Sequence, residues 1–246
     1  MINSIMKMQS LRKTVALLAF LSFTGALSGH AAEANQLTGE EKTAGWKLLF
    51  DGKTLQGWRN FKKKEPPKQG WVIEEGSLKH VAKGGGGDII TDAEFNDFEL
   101  EWEWKVPEGA NSGLKYFITE ERSSAIGHEY QLVDDLTHPD ARAGWNRSAA
   151  AFYHVIEPDR NKVLKPVGQW NRSRVLVQGN HVEHWLNGGK VLEYELGSEA
   201  VKAAVAKSKF KDVAGFGTKI KGHILLQDHG DEIWFRNLKI RELRAN

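Results

Sequence analysis

The stretch His223-Ile224-Leu225-Leu226-Gln227-Asp228-His229-Gly230, followed after Asp231 by Glu232-Ile233-Trp234-Phe235-Arg236-Asn237-Leu238-Lys239-Ile240-Arg241, decides the fold. An apolar strand runs into a polar Gln-Asp-His-Gly corner, and a second strand then alternates apolar with charged residues. Glycine lets the backbone turn sharply at the corner, and the alternation is that of a sheet with one face on a core. A strand that carries three polar groups to its own end is how an all-β scaffold presents a polar site.

Working outward, a period of two dominates after position 46, with glycine-rich punctuation. The pattern predicts strands at 46–50, 71–74, 77–81, 88–91, 97–106, 112–119, 128–134, 150–156, 171–178, 181–186, 190–194, 222–228 and 232–243. So many short strands in one unit imply two packed sheets, an all-β antiparallel sandwich. One short helix is expected at 198–209, with Ser198 as its cap and Val201, Ala204 and Val205 on one face.

Residues 1–34 read as a secretory signal peptide and short leader, leaving 35–246 as a single domain. Lys7, Arg12 and Lys13 precede the apolar run Val15–Leu27, and small residues follow, so cleavage after Ala31 or after Ala34 is expected. The run is shorter than the roughly 20 residues of a membrane-spanning helix, so no membrane insertion is expected. A periplasmic or secreted location follows. There is no cysteine, hence neither a disulfide nor a lipoprotein anchor. Removal of the first 31 residues takes away three basic and no acidic side chains, leaving 31 Lys plus Arg against 32 Asp plus Glu. A near-neutral chain argues against a nucleic-acid groove. Oligomeric state has no signature in the sequence.

Strand parity selects the candidate site residues. In Glu129-Tyr130-Gln131-Leu132, Tyr130 and Leu132 suit the core, which turns Glu129 and Gln131 together to the other face. By the same parity Ile224 and Leu226 face inward, whereas Leu225 and Gln227 face outward toward Asp228 and His229. Lys115, after the turn-like Asn111-Ser112-Gly113, points the same way. His154 and Tyr153 follow an alanine run, and Asp88 follows four glycines. Trp145, in a polar loop, is the aromatic best suited to stack on a sugar ring, whereas Trp102, Trp104 and Trp234 read as core. Glu99, Glu101 and Glu103 line one strand face at about 6.5 Å intervals. They resemble the acidic strand of laminarinase-type jelly-roll glycosidases, whose retaining chemistry needs two carboxyls about 5–5.5 Å apart. Lys105 continues that face, as an ordinary solvated surface would.

Several blocks occur together in one order: Leu49-Phe50-Asp51-Gly52, Gly87-Asp88-Ile89-Ile90-Thr91, Phe95-Asn96-Asp97-Phe98-Glu99-Leu100, Asn111-Ser112-Gly113, Glu129-Tyr130-Gln131-Leu132, Gly168-Gln169-Trp170-Asn171, Trp185-Leu186-Asn187-Gly188 and Gln227-Asp228-His229-Gly230. From Gly45 to Leu243 the chain resembles the 3-keto-disaccharide hydrolase domain family. The resemblance implies a concanavalin-like jelly roll with a concave carbohydrate-binding face and an oligosaccharide or glycoside substrate. It also implies cleavage of 3-keto-glycosides by proton removal at C2, expulsion of the aglycone from C1 and addition of water. On that expectation Glu129 or His154 is the base, and His229, oriented by Asp228, is an acid or metal ligand. Lys115, or one divalent metal ion held by groups such as Glu129, His154 and Asp228, stabilises the enolate oxygen. Asp88, Lys115, Gln131, Trp145, Tyr153 and Gln227 are expected to bind substrate. A non-catalytic carbohydrate-binding module and a conventional retaining glycosidase using Glu99, Glu101 or Glu103 are the alternatives.

Overall fold

The computed structural model describes residues 34–244, so the expected signal peptide and its cleavage sites lie outside the described residues except at Ala34. Within them the chain is a two-sheet antiparallel jelly-roll sandwich. Its elements run α1 (Gly39–Thr43), β1 (Lys47–Leu48), β2 (Trp58–Asn60), β3 (Trp71–Glu74), β4 (Ser77–His80), β5 (Ile89–Thr91), β6 (Phe98–Lys105), β7 (Asn111–Ile118), β8 (His128–Val133), α2 (Pro139–Ala143), β9 (Asn171–Gln178), β10 (His181–Leu186), β11 (Gly189–Glu195), α3 (Glu199–Ala206), β12 (His223–Leu226) and β13 (Ile233–Glu242). The larger sheet orders them β11-β10-β9-β6-β13-β4-β3, with β1 also on β13, and the smaller one β2-β5-β12-β7-β8. No helix among the described residues is long and apolar enough to cross a membrane.

Alternation places the core where the sequence puts it. Phe98, Leu100, Trp102 and Trp104 of β6 point inward and meet Leu114, Tyr116, Tyr130, Leu132, Ile224 and Leu226 of the smaller sheet. The indole N–H of Trp104 donates to Ser173 Oγ at 2.8 Å, so this buried donor is satisfied. Trp234 is a correction: it is only partly buried, on the outer face, with the Lys79 and Lys105 ammonium groups over its ring at 4.7 and 4.6 Å. The outer face of β6 is an ion lattice. Glu99 pairs with Arg174 at 2.6 Å and Arg241 at 2.5 Å, Glu101 with Arg172 at 2.6 Å and Lys239 at 3.2 Å, and Glu103 with Arg236 at 2.7 Å.

Helix α3 starts where expected, with Ser198 Oγ accepting from Val201 N–H and with Val201 and Val205 buried. It is one of three short α-helices among the described residues; α1 and α2, each a single turn and a half at most, carry too little periodicity to be read from sequence. The expected strand 150–156 does not form. Ala150 and His154 adopt positive φ (67° and 63°), which breaks extended structure, yet the segment still covers the free edge of β8. Ala150 N–H donates to Gln131 O at 2.8 Å, Gln131 N–H to Ala151 O at 3.3 Å, and Tyr153 N–H to Glu129 O at 3.0 Å. At the start of the fold, Asn35 N–H donates to Asn237 Oδ1 at 2.6 Å, Asn237 N–H to Asn35 Oδ1 at 2.8 Å, and the Asn35 amide to Gly76 O at 2.7 Å.

Candidate active site

The face of the smaller sheet turned away from the main core carries the site. Strands β7, β8 and β12 are buried on both faces, because loops cover the outer one. On that face Ile90, Ile118 and Leu225 form a small apolar cluster, and beside it lies a cavity of about 310 Å³. This is at the low end of the range for small-molecule sites. Its floor is built by register: Gly113 faces Gln131, Lys115 faces Glu129, and Leu225 lies opposite Lys115. Gln227 N–H continues the ladder by donating to Gly113 O at 3.0 Å, which places His229 near Asn111.

Six residues expected from the sequence, Lys115, Glu129, Gln131, Tyr153, Gln227 and His229, line this one cavity, together with Asn111, Ala125, Ile126, Gly127, Lys209, Phe210 and Val213. Asn111 shares the parity of Lys115, so the same alternation could have found it. Lys209, Phe210 and Val213 follow α3 in an irregular segment with no period to betray them.

The floor is polar and underused. Asn111 Oδ1, both amide atoms of Gln131 and Gln227 Oε1 are buried without a protein hydrogen-bond partner, and Asn111 and Gln131 are themselves 3% and 1% exposed. Buried polar atoms are nearly always paired, so four orphans on one cavity floor are donors and acceptors waiting for a polar ligand. Beside them Glu129 is 5% exposed, and its carboxylate lies 3.7 Å from the Lys115 ammonium. Burial holds the Glu129 carboxyl above its usual value of 4.5; Lys115, Lys209 and His229 pull it down, while Asp88 pushes it up. Gly113 makes room for it: a Cβ there would stand 2.9 Å from Glu129 Cδ and 3.0 Å from its Cγ.

The remaining expected residues fall elsewhere. Asp88 is adjacent rather than lining: its Oδ1 accepts from Asp228 N–H at 2.9 Å, and burial raises its pKa against the pull of Lys115. Asp228 does not orient His229. Its carboxylate is committed to His80 Nε2 at 2.9 Å, Gly87 N–H at 2.9 Å and Gly230 N–H at 3.0 Å, whereas the carboxylate facing His229 is that of Asp231, 3.8 Å from Nδ1. His154 lies behind the cavity wall. Arg147, which can only donate, holds His154 Nε2 at 2.7 Å, and burial together with this cation lowers the imidazole pKa. Arg147 also pairs with Asp140 at 2.6 Å, and Asp140 accepts from the Tyr153 hydroxyl at 2.6 Å, so His154 belongs to the bracing of Tyr153. Trp145 lines a different cavity; its indole N–H donates to Pro158 O and the Lys162 ammonium sits 4.6 Å over its ring, which leaves it unsuited to sugar stacking here.

The expected cation ligands do not fit. Glu129, His154 and Asp228 do not converge, and the last two would have to surrender Arg147 and His80. Among the described residues, the acidic and imidazole groups close enough to share an ion are His181, Glu183 and Glu193 on β10 and β11, where Lys190 already sits 2.5 Å from Glu193 and 3.3 Å from Glu183. Glu99, Glu101 and Glu103 are each neutralised by arginine or lysine on the other sheet, away from the cavity, which removes them as glycosidase carboxyls.

Comparison with known proteins follows the same lines. Residues 45–241 match the sequence profile of the 3-keto-alpha-glucoside-1,2-lyase-like domain. A 3-keto-disaccharide hydrolase of Bacteroides thetaiotaomicron is 36% identical over 87% of this chain and 83% of its own length. Two crystal structures of candidate glycosyl hydrolases from Parabacteroides distasonis ATCC 8503 are similar: one at 34% identity and TM-score 0.78, over 86% of this chain and 100% of that one, the other at 30% and 0.63, over 80% and 99%.

Proposed function

Because the chain belongs to the 3-keto-alpha-glucoside-1,2-lyase-like domain family, we propose that it cleaves 3-keto-glycosides, 3-keto-disaccharides among them, by elimination followed by hydration. The observation that supports this reading is the buried Glu129–Lys115 pair set among orphaned amides in one cavity. A ketone at C3 acidifies the hydrogen at C2. Glu129, ionised and poorly solvated, takes that proton, and the C2–H electron pair becomes an enolate across C2, C3 and O3. The enolate re-forms its C=C between C1 and C2 as the C1–O bond breaks, and the departing oxygen takes a proton. Water then adds its oxygen to C1 and a proton returns to C2, so the sum is hydrolysis.

Two groups flank Glu129 for the remaining tasks, Lys115 and His229: one stabilises the enolate oxygen and the other protonates the leaving oxygen. Such a route forms no oxocarbenium ion and needs no pair of carboxyls at fixed spacing. Asn111, Gln131 and Gln227 hold the ring hydroxyls. No step is routed through a metal. Export by the leader, with a periplasmic or secreted protein as the result, completes the proposal.

The test is incubation of the protein with a 3-keto-glucoside in deuterated water. Aglycone release with deuterium at C2 of the product supports the reading, and tight binding without release would instead identify a carbohydrate-binding module.

A further inference from the structure

The cavity changes chemistry along its length, and strand register supplies the direction. Alternate residues on β7 stand about 6.5–7 Å apart. Asn111, with His229 and the Gln131 and Gln227 amides, occupies one end. Lys115 and Glu129 lie farther along. Beyond them the Lys115 ammonium reaches the Ala125 carbonyl at 3.4 Å, and the lining turns to Ala125, Ile126, Phe210 and Val213. Arg122 fixes that end by donating to Ile126 O at 2.8 Å and to Ala214 O at 3.3 Å, and Phe210 stacks on Phe216 with centroids 4.3 Å apart. The wall's polar groups are few: the Tyr153 hydroxyl is spent on Asp140, and Lys209 stands exposed at the opening with its ammonium over the Tyr153 ring at 4.2 Å.

We infer that the Ile126–Phe210–Val213 end is the aglycone subsite, and that it selects 3-keto-glycosides of apolar, aryl-bearing alcohols over those whose aglycone is a second sugar. The inference rests on the function proposed above. Four orphaned amide atoms match the hydroxyls of the keto-sugar ring, so the ring belongs at their end. With C2 over Glu129, the substituent on C1 then extends over Ile126, Phe210 and Val213. Hydroxyls of a second sugar would be desolvated there without partners, whereas an aryl group gains burial. This direction gives the departing oxygen to Lys115 and the C3 oxygen to His229, the reverse of what the sequence suggested.

The experiment compares kcat/KM for two 3-keto-glucosides with primary-alcohol leaving groups of like acidity, one benzyl and one a 6-linked sugar. Wild-type protein is expected to favour the benzyl substrate about ten-fold, and Ile126→Asn and Val213→Asn each to bring the ratio toward one. Equal or inverted preference in the wild type, or a ratio that neither substitution moves, overturns the subsite. Cleavage of neither substrate overturns the proposed function itself, so the two failures are distinct.

Discussion

Lys115 and Glu129 are direct cross-strand partners on β7 and β8, and their charged atoms lie 3.7 Å apart beneath the cavity. The carboxylate therefore has a counter-ion but little water. A base in this setting is stronger than a solvated glutamate, because burial opposes its ionised form.

The acid limb of kcat/KM should lie above 4.5, since Glu129 must be ionised to accept the C2 proton and its pKa is raised. Lys115→Met removes the strongest opposing charge and should move that limb to still higher pH. Glu129→Gln should abolish both aglycone release and C2 exchange. A pH–rate profile for each protein checks this.

The same shift makes a stability prediction. A carboxyl whose folded pKa is raised favours folding below its unfolded pKa and loses that contribution as pH rises through the folded value. Glu129→Gln should thus melt higher than wild type at about pH 8, with the difference vanishing near about pH 4. Thermal denaturation at the two pH values reads it directly.

Gly113→Ala should separate positioning from folding. The new methyl would meet the Glu129 side chain, whose carboxylate must swing aside. Activity should fall about 100-fold while the melting temperature changes little, because the obstructed group is the end of a flexible side chain.

Gln131→Leu replaces two orphaned polar atoms by methyl groups. An unsatisfied buried group costs about 1–3 kcal/mol, so the free protein should be more stable and KM higher. A melting curve together with a Michaelis plot tests both halves.

If the leader is cleaved after Ala34, Asn35 becomes the first residue and its amino group still reaches Asn237 Oδ1; cleavage after Ala31 leaves three residues before it. Intact mass of protein recovered from the exported fraction should match one of these two starts, and retention of residues 1–31 would contradict export.

Much of the site was legible because parity survives folding. Glu129, Gln131, Lys115 and Gln227 face one way since Tyr130, Leu132, Leu114 and Leu226 must face the other, and no loop can alter that. What failed was everything decided by loops. Trp145 looked suited to a sugar ring because its neighbours are polar, but Pro158 takes its indole N–H and the Lys162 ammonium sits over its ring. Residues 150–156 looked like a strand because of their apolar start, but the left-handed Ala150 and His154 reshape the segment. Asp228 adjoins His229 in sequence, yet the turn hands it to His80 and brings Asp231 round instead. Glu99, Glu101 and Glu103 had a spacing near that of a retaining pair, and only the strands beside them, unknown from sequence, reveal their cationic partners.

The backbone bond from Tyr153 to Glu129 has one last consequence. The segment that walls the cavity is stitched to the very strand that carries the base, so it cannot swing away without unzipping that edge of the sheet. Along this side the site is a fixed mould: molecules come and go through its open mouth, and recognition depends on shape already in place rather than on closure around the guest.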